Sequence, residues 1–221
     1  MFPTALTDGY RSFLSGRFPT ERKRFQELAS GQEPETLVIS CCDSRVAPEA
    51  IFDVGPGELF VIRNVAAIVP IYETGGDYHG TSAAIEFAVQ GLEVKNIVVL
   101  GHASCGGIKA YADKAKPLSM GNFIGKWVSL VEPAEAKAGD SSAPDYLTRL
   151  EHGMVSQSLE NLMTFPFIKE RVEAGSLKLH GAHFGVATGD LLVRDPETGD
   201  FTPAADRNGE PLRPSAMMSC N

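Results

Sequence analysis

The sequence predicts an α/β fold, with a mainly parallel central β-sheet, an antiparallel edge strand, flanking helices and an N-terminal helical arm. Apolar runs such as Leu37-Val38-Ile39 and residues 96–100 lack polar alternation, which indicates strands buried on both faces, as in parallel sheets. Segments with helical spacing of apolar residues alternate with these runs. The length of 221 residues and the 43% hydrophobic content suit a single domain with a substantial core.

Composition narrows the classes of protein. Twenty basic and twenty-eight acidic side chains give a net charge of -8, and no long basic stripe appears, so nucleic acid is not expected as a partner. No apolar run has transmembrane length and the first residues lack the pattern of a signal peptide, so we expect no membrane association. Four cysteines in a chain of this size suit a metal site in a reducing compartment, which predicts a cytoplasmic protein.

The N-terminal arm, residues 1–31, is predicted to contain two helices broken at Phe18-Pro19. Thr20 is a candidate N-cap for the second helix, and Gly31 is expected to close it. Because the arm precedes the first strand, it has no obvious place in the sheet. Two interpretations follow from the residues: the arm covers a face of its own domain, or it embraces a partner subunit.

The α/β alternation begins after the arm. The elements expected, in order, are a strand at 35–41, a short helix at 48–52, a strand at 59–62 ending in Arg63-Asn64, a helix at 81–92, a strand at 96–100 and a helix opening at Gly106-Gly107.

The second half of the chain is predicted to be mostly helical. It contains a helical stretch at 117–139 with the only tryptophan, Trp127, and one long helix from Pro144 to about residue 171. A strand beginning at 177–180 and an antiparallel edge strand at 191–194 complete the sheet. Residues 195–221, rich in Pro, Gly and charge, are expected to form a loosely ordered tail of the same domain, which spans 1–221.

Three potential metal ligands follow two of the predicted strands. Cys41 ends the first strand, and His102 and Cys105 follow the strand at 96–100 in the sequence Gly-His-Ala-Ser-Cys-Gly-Gly. In open α/β sheets, ligands bind at the carboxyl ends of strands, where these side chains can converge. Thiolates and imidazole suit Zn²⁺, and three protein ligands leave a fourth position open, as in catalytic sites. The sequence therefore predicts a zinc centre at Cys41, His102 and Cys105.

Asp43 and Arg45 lie next to the first ligand and indicate more than a structural metal site. Two thiolates already neutralise Zn²⁺, so a third anionic ligand would close the site to water. Arg45 can bind the Asp43 carboxylate bidentately and hold it off the metal, where it can orient a nucleophile. The alternative is an ordinary turn with a surface ion pair. Cys42 is expected to be a buried free thiol, since successive strand residues face opposite sides.

The motifs Cys-x-Asp-x-Arg and Gly-His-x-x-Cys-Gly-Gly, with Arg63-Asn64 between them, resemble those of the β-class carbonic anhydrases, plant-like branch. The resemblance covers about two thirds of the chain. It implies reversible hydration of carbon dioxide to bicarbonate and a proton, with zinc hydroxide as nucleophile. It also implies zinc ligation and a catalytic Asp-Arg dyad at the matching positions, which are Cys41, His102, Cys105, Asp43 and Arg45.

The same resemblance implies a substrate pocket and an oligomer. Gln32 matches a glutamine that donates a hydrogen bond to substrate oxygen, and the backbone N–H of Gly106 matches a further substrate contact. The apolar pocket positions correspond to Phe60 and Val65, and Phe87 adds an apolar wall. The family forms homodimers or higher homo-oligomers, in which the N-terminal helices reach across to the partner.

Three positions depart from the family pattern. Val38 stands where a branch with a non-catalytic bicarbonate site carries tryptophan, which favours an open site. Phe87 replaces a pocket tyrosine, and Gly91 replaces a histidine that shuttles protons, so His79 or buffer is a candidate for the proton exit.

Two other functions fit the motifs less well. One is hydrolysis of carbonyl sulfide or carbon disulfide on the same scaffold, which shares the metal motif. The other is a non-catalytic, zinc-stapled binding module, which the Asp43-Arg45 pair and the lack of a fourth soft ligand disfavour.

Overall fold

A computed structural model describes residues 2–76 and 79–205 and contains a six-stranded sheet in the order β2-β1-β3-β4-β5-β6. The first four strands in this order are parallel and the last two pair antiparallel, which confirms the predicted fold class. The strands are β1 (Thr36–Cys41), β2 (Leu59–Asn64), β3 (Asn96–His102), β4 (Lys178–Phe184), β5 (Leu191–Arg194) and β6 (Phe201–Pro203).

Helices cover both faces of the sheet and precede it. Among the described residues, none of these helices is long and apolar enough to span a bilayer. They are α1 (Thr4–Ser12), α2 (Phe18–Leu28), α3 (Pro48–Ile51), α4 (Gly80–Glu86), α5 (Gly106–Ala112), α6 (Phe123–Val128), α7 (Glu132–Ala138), α8 (Tyr146–Leu162) and α9 (Pro166–Glu173).

The central strands β1 and β3 end at Cys41 and His102, two of the potential metal ligands. Leu37 and Val38, which face opposite sides of β1, are both buried, as continuous apolar runs require in a sheet covered on both faces. The chain pairs β2 on one side of β1 and β3 on the other, with Ser40 opposite Leu100. The carboxyl ends of β1 and β3 therefore lie side by side where the strand order reverses, the position at which open α/β sheets bind ligands.

Two predictions about the end of the sheet need correction. The strand at 191–194 lies where predicted, but β6 pairs with its outer side, so β6 and not β5 is the edge. The interval 195–221 is therefore not a loose tail from its start, because 201–203 is a strand. Residues 206–221, with Cys220, lie outside the described residues.

The long helix predicted at 144–171 is two helices. Helix α8 ends at Leu162 and α9 begins at Pro166, with Phe165 in extended conformation between them. Proline has no N–H to continue a helical ladder and disfavours helical geometry in the residue before it. The helical stretch predicted at 117–139 begins only at Phe123 and is interrupted by a 3₁₀ turn at Ser129–Val131.

The N-terminal arm is one nearly continuous helical rod. The predicted break at Phe18-Pro19 is wrong: a π-helical turn at Phe13–Arg17 joins α1 to α2. Pro19 lies in the first turn of α2, directly after the π-helical turn, where its fixed φ suits a helix. Thr20 does not cap the helix, since its hydroxyl donates to the carbonyl of Arg17.

Candidate metal centre

Cys41, His102 and Cys105 converge at the carboxyl edge of the sheet. One ligand atom from each lies within 4.8 Å of the others, and all three residues are buried. The two Sγ atoms are 4.0 Å apart, beyond the length of a disulfide. Two sulfurs bound tetrahedrally to zinc would lie about 3.8 Å apart, given Zn–S bonds of about 2.3 Å. The predicted ligand set is therefore assembled at a spacing that fits the ion.

The imidazole of His102 is oriented for metal binding. Its Nδ1 donates to the backbone carbonyl of Ala103 at 3.0 Å, which fixes the neutral tautomer with a lone pair on Nε2. Nε2 is buried and has no hydrogen-bond partner among the described residues. A buried polar atom without a partner is costly, and a cation bound there would remove that cost.

Electrostatics at the cluster also favour a cation. The Cys105 thiol, hydrogen bonded to Cys41, lowers the pKa of Cys41, and the resulting thiolate raises the pKa of Cys105. Burial opposes the charged form of His102, but the neighbouring Cys41 sulfur and the Ala103 carbonyl raise the pKa of the imidazole overall. A divalent ion would let both cysteines ionise and would displace the proton from the histidine.

Arg45 binds both carboxylate oxygens of Asp43, as predicted. Nε lies 2.9 Å from Oδ1 and Nη2 lies 2.6 Å from Oδ2, while the backbone N–H of Arg45 also donates to Oδ1 at 3.0 Å. These bonds hold the pKa of Asp43 well below its usual range. Oδ2 is 4.0 Å from Nε2 of His102. An ionised carboxylate therefore lies beside the potential metal ligands, and the guanidinium group fixes its orientation.

Arg63, on β2, binds the end of β1 and the loop that follows it. Its Nε donates to the carbonyl of Cys41 at 2.9 Å and its Nη2 to the carbonyl of Asp43 at 2.7 Å. Arg63 lies between the two cysteine motifs that carry the resemblance, but sequence alone does not show that it binds backbone groups on both sides of Cys42.

Glu151 is a residue at the centre that sequence reasoning missed. It lies on α8 with 3% of its surface exposed; Oε1 accepts the backbone N–H of Cys105 at 3.0 Å and Oε2 lies 3.1 Å from Nε2 of His183. Its position among Leu150 and Met154, which are buried, was the available clue, since a carboxylate is rarely placed on the apolar face of a helix.

Of the predicted pocket residues, Val65 and Gly106 lie beside the ligands. Val65 packs against the buried group that contains Cys41 and Cys105. Gly106 opens α5, where the first amides have no partner inside the helix, and a Cβ built there would meet nothing within 4 Å.

A cavity of about 680 Å³ lies next to Val65, and Cys42, His79 and Trp127 also line it. Cys42 was predicted to be buried, but it is exposed. The reason is that β1 ends at Cys41, so Cys42 already belongs to the loop, where its N–H donates to the carbonyl of Asn64.

Gln32, Phe60 and Phe87 are not beside the ligands of the same chain. Gln32 precedes β1, and Phe60 pairs with Leu37 near the start of that strand, whereas Cys41 ends it. Four residues of strand separate these positions by about 13 Å. Phe87 packs on Phe60, with ring centroids 5.8 Å apart, and 52% of its surface is exposed. One chain therefore brings together the potential metal ligands and the Asp-Arg pair, but Gln32, Phe60 and Phe87 lie away from them.

Comparison with known proteins decides the family. The sequence model of the family "Carbonic anhydrase" matches residues 36–191. The chain is 36% identical over 208 residues to β carbonic anhydrase 3 of Arabidopsis thaliana, covering 90% of this chain and 79% of that protein. The chain belongs to the plant-like β-class carbonic anhydrases. It is also 37% identical to the chloroplastic β carbonic anhydrase 5 of the same plant, over 79% of this chain but only 59% of that protein.

Solved carbonic anhydrase structures share the fold. The β-carbonic anhydrase CcaA superposes with a TM-score of 0.84 at 32% identity, over 92% of each chain. A β-carbonic anhydrase of Sordaria macrospora, described as tetrameric, gives a TM-score of 0.74 at 28% identity, over 90% of this chain and 97% of that one. These similarities extend beyond the metal motifs to the whole sheet.

Proposed function

We propose that this chain is a zinc enzyme that catalyses the reversible hydration of carbon dioxide to bicarbonate and a proton. The observation that carries the proposal is the buried Cys41, His102 and Cys105 cluster, with an Arg45-bound carboxylate 4.0 Å from its ligand nitrogen. Family membership supports it, because the related proteins are named carbonic anhydrases. Zinc, when bound, acidifies a water molecule and so supplies a nucleophile near neutral pH.

The role of Asp43 follows from its ionisation and its orientation. Because Arg45 keeps the carboxylate unprotonated, Asp43 acts only as a hydrogen-bond acceptor. Accepting a hydrogen bond from the attacking oxygen fixes that oxygen's proton and directs a lone pair at the substrate carbon. Arg45 also anchors to the carbonyl of Ser104 at 3.2 Å, which ties the dyad to the loop between the two other ligands.

The substrate site is proposed to have an apolar and a polar side. Carbon dioxide is linear and neutral, so an apolar wall at Val65 suits it better than a charged one. The N–H of Gly106 supplies a donor for the oxygen that gains negative charge as bicarbonate forms.

We further propose that a second copy of the chain completes the pocket. Gln32, Phe60 and Phe87 lie away from the ligands of their own chain, and Phe87 exposes its ring. Among the described residues, α1 and α2 bury no side chain, and Leu6 and Tyr10 are exposed. Clustered exposed apolar side chains often mark a surface that a partner covers. In a homodimer, alone or within a larger homo-oligomer, the partner chain would contact the displaced pocket residues and the exposed helices α1 and α2.

The test is metal analysis and stopped-flow carbon dioxide hydration on the same purified sample. We expect one zinc per chain and rapid hydration. Zinc without hydration would favour a non-catalytic module, and release of sulfide from carbonyl sulfide or carbon disulfide in preference to hydration would favour a sulfur-substrate hydrolase. The cytoplasmic location and the lack of a nucleic-acid partner stay predictions from the sequence.

A further inference from the structure

The turn Val65–Ala67, which follows β2, has a backbone conformation that its residues do not favour. Ala66 and Ala67 have φ angles of 68° and 54°, in the left-handed region, and both side chains are buried. Alanine avoids this region, because its Cβ approaches the neighbouring carbonyl oxygen. The surrounding structure must therefore hold the turn in place.

The peptide unit between Val65 and Ala66 connects the turn to the metal centre. Its N–H, from Ala66, donates to Sγ of Cys41 at 3.3 Å. Hydrogen bonds to a ligand sulfur orient it and reduce its electron density, and groups of this kind strongly affect metal affinity. The direction of this bond depends on the plane of a single peptide, since the six atoms of a peptide rotate as one unit.

Trp127 binds the other end of the same peptide. Its indole Nε1–H donates to the carbonyl of Val65 at 2.8 Å, from α6, 62 residues away in the chain. Gly107 also packs closely on the turn, where an added Cβ would lie 2.6 Å from Cγ1 of Val65. The peptide plane is therefore fixed by the indole at its carbonyl and by Cys41 at its N–H.

We propose that Trp127 is a positioning residue for the metal centre: by holding the Val65 carbonyl, it aims the Ala66 N–H at the sulfur of Cys41. Accepting the indole bond also polarises the peptide, which strengthens the bond that its N–H donates. This inference rests on the proposed zinc site, and it concerns the retention and electronic state of the metal more than the fold.

The test compares Trp127→Phe, which keeps an aromatic ring but has no donor, with the wild-type protein. We expect zinc to transfer to a chromogenic chelator about tenfold faster or more completely. In the Co²⁺-substituted protein, we expect the thiolate-to-metal charge-transfer band to move to longer wavelength, because the sulfur loses a hydrogen bond. A second variant replaces Trp127 by 3-benzothienylalanine, which lacks the N–H but has almost the same shape. Because Trp127 is the only tryptophan, replacing tryptophan throughout the chain alters this residue alone.

Leu130→Ala is the matched control. Leu130 packs against the same buried group and lines the same cavity, but it donates nothing to the turn. The Leu130→Ala variant should have lower thermal stability but an unchanged thiolate-to-Co²⁺ charge-transfer band. If Trp127→Phe does not fold, the benzothienyl protein decides the matter. An unchanged band and an unchanged zinc transfer in a folded protein without the indole donor would overturn the proposal. A wild-type protein that binds no zinc would instead overturn the proposed function.

Discussion

Arg45 binds the Asp43 carboxylate through two parallel N–H···O contacts, Nε to Oδ1 at 2.9 Å and Nη2 to Oδ2 at 2.6 Å. Two residues of one loop thus form a fork-to-fork pair within reach of the metal ligands. Neither residue supplies an atom to the group of potential ligands. The proposed zinc site and the proposed catalytic dyad can therefore be tested by separate mutations.

Asp43→Ala should keep stoichiometric zinc and lose about 100-fold or more in hydration rate, because only the orienting acceptor is removed. Metal analysis and stopped-flow hydration on one sample measure both quantities. Asp113→Ala is the control, since Asp113 is an exposed carboxylate paired with Lys109, and it should leave both unchanged. Loss of metal together with activity in Asp43→Ala would contradict the assigned role.

Cys105→Ala should lose the metal itself. Only one sulfur and one imidazole would remain, and the backbone bond from residue 105 to Glu151 would not compensate for the missing ligand. Cys42→Ala is a matched control, because Cys42 is a neighbouring but exposed thiol and should retain zinc. Stoichiometric zinc in the Cys105 variant, measured by mass spectrometry of the native protein, would refute the ligand assignment.

The convergence of the three potential ligands could be predicted from sequence because it depends on strand order and direction alone. Cys41 and His102 end two buried runs, and the carboxyl ends of neighbouring parallel strands share an edge whatever the helices do. Asp43 and Arg45 lie only two and four residues beyond Cys41, so they must stay close to it. The side chains predicted correctly are those whose positions depend on local order and strand direction alone.

The supporting residues could not be predicted in the same way. Glu151 and Trp127 reach the centre from helices 46 and 62 residues away from their partners in the chain, and their placement depends on how those helices pack. Cys42 is exposed, contrary to the prediction, because β1 ends at Cys41 and the alternation of strand side chains no longer holds at the next residue. For Phe60 and Phe87, a sequence match indicates a role in a pocket but not which copy of the chain supplies it.

His152 should make the protein less stable in mild acid. Burial, and then the nearby His183, lower the pKa of His152 to about 4 from about 6.5. Since the folded pKa is the lower one, the unfolded chain takes up the proton first. This contribution to stability is complete above pH 6.5 and is lost between about pH 6.5 and 4, at up to about 1.4 kcal/mol per pH unit.

The variant His152→Phe isolates that contribution. A phenyl ring can keep the stacking on Phe201, whose ring centroid lies 4.0 Å from that of His152, without a group to protonate. We expect the difference in melting temperature between variant and wild type, at fixed zinc occupancy, to shift in favour of the variant as pH falls from 7 to 5. A difference independent of pH would contradict the assignment.

Co-expression of two defective chains tests whether a partner completes the pocket. One chain carries Cys105→Ala and binds no metal; the other carries Gln32→Ala and Phe87→Ala, at two exposed positions. If each pocket takes Gln32 and Phe87 from the partner, a heterodimer contains one intact site, because the metal of the second chain meets the unaltered residues of the first. Each double-tagged heterodimer should then show about half the wild-type rate per dimer. If each chain used its own residues, the only metal-bearing site would lack both side chains, and the rate would not exceed half that of the Gln32→Ala, Phe87→Ala homodimer. A stopped-flow assay on heterodimers purified through both tags distinguishes the two arrangements, since the only difference between them is which copy faces the zinc.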